Sequence, residues 1–298
     1  MEFGKVAHPE LIDFTLPQDD VNTASILNKH LVKNDAMEAY VGCAKWNRTD
    51  LKGFYPRGTK DELTYYATQF NSIELNATFY LMPSLDQVIT WKNKTPDNFK
   101  FFPKLTNTIS HYKRLNNVAE PITLFCDAIS GFEKKLGMAF LQLHDNFGPK
   151  DFDKLALALE SFPKGIPLAV EVRNEKWFND VAIWNSYCSH LENLGIANII
   201  VDTAGRRDML HMRLTSPVAF VRFVGANHPT DIDRLNEWVT RLKIWQAQGL
   251  QKLYFFVHQN IELSSPLLAT HFIQELNKHL GTQLIVPKND NNNKLEFF

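Results

Sequence analysis

Two carboxylates in this sequence are each followed, two residues later, by a polar partner: Glu74 by Asn76, and Glu171 by Arg173. Both pairs close short apolar runs, SIELN and PLAVEVR. Side chains alternate across an extended chain, so the members of each pair point to the same side. An ionised group at the end of an apolar run is costly to bury unless it is paired or used. Two separated glutamates suit general acid–base chemistry when their surroundings hold one protonated and one ionised. Glu171, beside its own Arg173, is expected to stay ionised and act as the base. Glu74, beside a neutral amide, is expected to be the raised-pKa acid. Lys104, Arg173 and Arg222 suit a phosphate or carboxylate group, which arginine grips bidentately. Asn76, His111, Gln142 and Asp202 add polar contacts, and Trp46 and Trp177 could stack a ring.

These residues stand at the ends of eight apolar runs, 40–44, 72–76, 99–104, 138–143, 167–173, 197–202, 218–224 and 253–258. Helical segments separate most of them. Thr59 with Glu62, and Ser84 with Gln87, have the spacing of helix N-caps, and Gly195 and Gly249 follow helices as C′ glycines. A short helix is expected near 24–32. Continuous apolar strands alternating with amphipathic helices imply a parallel sheet covered by helices. Eight such units over about 260 residues predict a single (β/α)8 TIM-like barrel, α/β in class, with its active site at the carboxyl ends of the strands. An open doubly wound sheet is the alternative, but no GxGxxG follows any strand. Residues 1–39 read as an N-terminal extension laid on a barrel of residues 40–284. Residues 285–298 form an asparagine-rich tail.

A formal net charge of −1 over 298 residues argues against a dedicated partner for duplex nucleic acid. The three cysteines, Cys43, Cys126 and Cys188, are far apart and form no CxxC, which fits a reducing cytoplasm. No signal peptide or membrane-spanning run is present. There is no GxSxG elbow and no phosphate-binding P-loop. No cofactor is predicted. A divalent metal held by Glu74, Glu171, Asp202 and one of His111, His144 or His258 is possible, though no HxH or HExxH spacing supports it.

The chain resembles the DUF72 (YecE-like) family of uncharacterised barrel proteins. The resemblance is carried by Val41-Gly42 with Trp46, Phe54-Tyr55-Pro56, the run Glu74-Leu75-Asn76-Ala77-Thr78-Phe79-Tyr80, Lys104, Ser110-His111, Gln142-Leu143, Glu171-Val172-Arg173 with Trp177, and Val221-Arg222. It implies a TIM-like barrel and supplies no activity. Leu81, Asn174 and Val224 depart from the family's usual arginine and histidines. Three functions stay open: an enzyme acting on an anionic small molecule or nucleotide-like substrate; a non-catalytic ligand-binding or interaction protein; and a divalent-metal hydrolase or isomerase. The sequence leaves the oligomeric state open.

Overall fold

Each apolar run becomes a strand in the computed structural model, which describes residues 3–31 and 37–288. The strands are β1 Glu38–Cys43, β2 Ser72–Leu75, β3 Lys100–Pro103, β4 Ala139–Gln142, β5 Leu168–Glu171, β6 Ala197–Thr203, β7 Val218–Gly225 and β8 Lys252–Gln259. The helices are α1 Val21–Asn28, α2 Glu62–Gln69, α3 Ala77–Tyr80, α4 Leu85–Asn93, α5 Ala119–Ser130, α6 Phe152–Glu160, α7 Val181–Leu194, α8 Thr230–Gln248 and α9 Ser265–Leu280. None of the helices among the described residues is long and apolar enough to cross a membrane. The asparagine-rich residues 289–298 and residue 32 of the expected first helix lie outside the described residues.

The hydrogen-bonded ladder differs from a continuous ring of eight. Six parallel strands form one curled sheet in the order β1-β8-β7-β6-β5-β4, and β2 and β3 form a separate parallel pair. Between β3 and β4 only isolated bridges occur, at Lys104 with Phe140 and Phe101 with Leu136. Between β1 and β2, side chains stand where a ladder would run. The Asn71 side chain accepts from Val41 N at 3.0 Å and donates to Ala39 O at 2.9 Å. The Tyr66 hydroxyl accepts from Cys43 N at 2.7 Å and donates to Ser72 O at 3.0 Å. Gly42 is needed at this seam, because a Cβ there would collide with the Ser72 carbonyl. Asn71→Ala strands the Val41 N–H and the Ala39 carbonyl together, and should cost about 2 kcal/mol of unfolding free energy in urea. A loss below about 0.5 kcal/mol would mean that the seam is held by something else.

Strand alternation separates two apolar layers. Outward side chains pack under the helices, as do Val41, Ile73, Phe101, Leu141, Val221 and Phe255. Inward ones form a second cluster that includes Phe102, Phe140, Ile199, Phe220, Tyr254 and Phe256. Within it Phe102 lies 4.6 Å from Tyr254 and 4.8 Å from Phe256, ring centre to ring centre. This aromatic layer fills the interior below the strand ends.

Local details refine the helix boundaries. Ser84 caps α4 by accepting from Gln87 N, and Gly195 and Gly249 end α7 and α8 in the left-handed region. Thr59, in contrast, does not cap α2. Its hydroxyl turns back to Pro56 O, and Asp61 accepts from Thr64 N instead. The connection from β6 to β7 holds only a 3-10 segment, Ala204–Met209. Residues before β1 reach across the fold: Asp20 meets Arg213 at 2.6 Å, and Leu16 N donates to Glu237 at 2.8 Å.

Candidate functional site

At the carboxyl ends of the strands the inward positions turn from aromatic to charged. Glu74 ends β2's inward row, Lys104 follows β3, and Gln142 and Glu171 close β4 and β5. Arg222 comes from β7 and His258 from β8. Arg222 is the hub. Its Nε and Nη2 donate to the two oxygens of Glu74 at 2.9 and 2.7 Å. Its Nη1 donates to Glu171 at 2.6 Å and to Gln142 at 3.3 Å. The second oxygen of Glu171 accepts from Arg173 Nε. Asn76 Nδ2 donates to Glu74 at 2.8 Å, and His258 Nε2 lies 3.0 Å from the other Glu74 oxygen. One guanidinium thus ties the β2–β3 pair to the six-stranded sheet through carboxylates that are 148 and 51 residues away in sequence.

This pairing decides the charge states. Burial alone would raise the Glu74 carboxyl, but Arg222 and His258 outweigh it and hold Glu74 well below the usual carboxylate range. The expected raised-pKa acid at Glu74 is therefore corrected. The neutral Asn76 amide is a minor neighbour beside a bidentate guanidinium from across the interior. Glu171 is likewise buried, and Arg173 and Arg222 bring it down to about 2. Lys104 moves in the opposite sense. Burial, then repulsion from Arg222 and Arg173, lowers its amine to about 7. His111, on the π-helical turn Thr108–Tyr112, is lowered to about 4 by burial and by nearby His144 and Lys104.

Above this layer opens a cavity of about 420 Å³. Its lining includes Lys5, Lys104, His111, Arg173, Arg222 and His258, with Phe3 and Phe79 as apolar walls, and no carboxylate among the described residues. The glutamates lie beneath the cations that neutralise them. Arg173 stacks on Phe3, its guanidinium carbon 3.7 Å from the ring centre. Among the described residues, its Nε alone donates a hydrogen bond.

The site gathers Glu74, Asn76, Lys104, His111, Gln142, Glu171, Arg173 and Arg222. Three expected members lie elsewhere. Asp202 belongs to the outward row of β6, since Ile199 and Val201 face the interior. It is fully buried against α8, bound by Arg234 at 2.8 Å, Trp238 at 2.8 Å and Arg207. Trp177 is fully buried and donates to Phe147 O at 2.9 Å, so its ring offers no stacking face. Trp46 rests edge-on against Trp91 at 6.1 Å, outside the cavity lining. Of the carboxylates considered for a divalent metal, Asp202 consequently stands apart from Glu74 and Glu171, and no group of three or more His, Cys, Asp or Glu among the described residues is placed to hold one.

Sequence reasoning left Phe3, Lys5 and Phe79 out of the site and weighed His258 as a candidate metal ligand. His258 ends the eighth strand and was recognisable as a polar strand end. Phe79 lies in the Phe-Tyr pair of the Glu74 run. Phe3 and Lys5 carry no local signal, being about 170 residues from Arg173 in the chain.

Comparison with known proteins gives a consistent assignment. A family model described as "Protein of unknown function DUF72" matches residues 40–292. The UPF0759 protein YecE of Escherichia coli (strain K12) is 27% identical over 270 residues, covering 83% of this chain and 96% of that protein. The UPF0759 protein YunF of Bacillus subtilis (strain 168) is 27% identical over 149 residues, covering 47% and 52%. Among solved structures, a DUF72 family protein of Enterococcus faecalis V583 superposes with a TM-score of 0.67 at 20% identity, covering 84% of this chain and all of that one. A DUF72 family protein of Thermotoga maritima MSB8 gives 0.64 at 26% identity, covering 80% and 99%. With a strand-end charged cavity on a curled parallel α/β sheet, and a match spanning most of its length, this chain belongs to the DUF72 family of proteins of unknown function.

Proposed function

We propose that this protein binds a small phosphate- or carboxylate-bearing molecule in the cavity at the strand ends and acts on it as an enzyme. The observation that carries the reading is the lining: Lys5, Lys104, Arg173 and Arg222 face or border the space, and no carboxylate among the described residues does. Phe3 and Phe79 add apolar surface suited to the rest of a small ligand. Arg173 is the anchoring cation, because its terminal nitrogens carry no hydrogen bond to the described residues and its plane is fixed on Phe3. Glu74 and Glu171 position Arg222 and Arg173 rather than exchange protons. The proton-exchanging groups are Lys104 and neutral His111. In this reading the eight strands work as one closed ring, with the side chains of Asn71 and Tyr66 completing it. The buried thiols Cys43, Cys126 and Cys188 suit a reducing cytoplasm.

A non-catalytic binding protein is the second reading, favoured by the complete pairing of both glutamates. Turnover separates it from the first. Anion binding itself is tested by thermal and urea unfolding with and without inorganic phosphate. Phosphate at about 100 times its dissociation constant should add about 2.7 kcal/mol of stability. Arg173→Gln should lose most of that increment, read as the difference with and without phosphate within the variant. No stabilisation of the wild-type protein by phosphate or by small carboxylates would reject the reading.

A further inference from the structure

Lys104 is placed unlike Lys135, the other buried lysine among the described residues. Lys135 has its ammonium against Lys92 O at 2.9 Å, Thr95 O at 2.6 Å and Thr95 Oγ1 at 3.4 Å. Lys104 has one oxygen acceptor among the described residues, Gln142 Oε1 at 2.8 Å, and otherwise stands 3.9 Å over the Phe79 ring. That acceptor is shared with Arg222. Glu74 and Glu171 are near enough to act on Lys104 electrostatically, but their oxygens are taken by the two arginines. The amine therefore reaches a cavity wall with no carboxylate holding it, flanked by Arg222 and Arg173 and opposite an aromatic face. Desolvation beside other cations makes a lysine nucleophilic, because the uncharged amine is the form this environment favours. The lowered ionisation of Lys104 agrees with that placement.

We propose that Lys104 forms an imine with a small carbonyl compound bearing an anionic group, the anion resting on Arg173 while the carbonyl carbon meets Nζ. This rests on the anion-binding reading above and names the substrate class. The lone pair of the neutral amine attacks the carbonyl carbon, and the C=O π pair moves onto oxygen. The proton lost by nitrogen passes to that oxygen, giving a carbinolamine. Expulsion of the protonated hydroxyl as water leaves the C=N bond, so amine and carbonyl give imine and water with no change of oxidation state. The imine is uncharged, as the attacking amine was, so Arg222 and Arg173 face no added charge and the charge of the site is unchanged.

The test uses the full chain at pH 7 with glyoxylate and cyanoborohydride, which reduces an imine to a stable carboxymethyl-lysine, followed by peptide mapping. The expected result is one carboxymethyl group per chain at Lys104, formed on the order of 100-fold faster than at exposed lysines, whose amines near pKa 10.4 are almost entirely protonated. Glycolate, which has the carboxylate but no carbonyl, should slow it. Lys104→Arg should abolish it while retaining the thermal transition that reports folding. A parallel series with glycolaldehyde phosphate assigns the anion as phosphate if that probe reacts faster, or as carboxylate if glyoxylate does. The proposal is overturned if Lys104 is unmodified, or is modified no faster than surface lysines. Stabilisation by glycolate or phosphate without an adduct rejects the imine and leaves the anion site standing. An adduct that glycolate does not slow, with no stabilisation by either anion, overturns both the anion site and the proposed substrate class.

Discussion

Replacing Arg222 by methionine is expected to lower the unfolding free energy at pH 7 by about 3–5 kcal/mol, the largest effect of any single substitution at the strand ends. The guanidinium is the common partner of two fully buried carboxylates, so its removal strands Glu74 with Asn76 and His258, and Glu171 with Arg173 alone. An intact buried ion pair adds little net stability, whereas breaking one leaves an uncompensated charge in a low-dielectric interior. Adding Glu74→Gln and Glu171→Gln to the methionine variant should recover part of the loss, because the stranded charges then disappear. Urea unfolding of the three proteins measures this. A loss under about 1 kcal/mol for the single variant would mean that the carboxylates are hydrated or held elsewhere.

Lys104 should give the second large effect, as a slope of stability against pH. The free side chain ionises near 10.5 and the folded one near 7. Between those values the unfolded chain holds a proton that the folded chain lacks, so stability rises with pH across that window. Below pH 7 both forms are protonated and the penalty of burying the ammonium is fully present. The rise approaches about 1.4 kcal/mol per pH unit and totals about 4 kcal/mol. Lys104→Met should flatten the difference between the two proteins above pH 10 and exceed the wild type in stability at pH 6. Parallel unfolding curves for the two proteins from pH 6 to 10 would show that Lys104 keeps its ordinary ionisation.

The strands were legible because each is a short apolar run with polar ends, and a run's position survives whatever it packs against. The site was legible wherever alternation could be anchored. Glu74 and Glu171 both lie on inward rows, and so do Lys104, Gln142 and Arg222. The same rule, applied to β6, separates Asp202 from Ile199 and Val201, and a polar residue at a strand end was not by itself enough to place it inside. Trp177 follows a strand directly, but its direction depends on the turn Glu175–Trp177, which folds the indole under Tyr187 and Phe152. The protonation of Glu74 was misread for a different reason. Its sequence neighbour is an amide, and its energetically dominant partner comes from β7. The seam between β1 and β2 likewise depends on Asn71 and Tyr66, side chains whose backbone-like role has no signature in composition or periodicity.

The aromatic layer beneath the charges has a consequence for proton traffic. Phe102, Phe220, Tyr254 and Phe256 cork the interior; burial, with Tyr40 and Glu38 nearby, pushes the Tyr254 phenol up, and Tyr40 beside it is pushed to about 12 by burial and by Glu38. No group in that cork releases or takes up a proton near neutrality. Lys104 therefore exchanges protons on the cavity side, through the space it lines together with Phe3, Lys5 and His111. A molecule filling that space would close this route and hold the amine in the charge state it met.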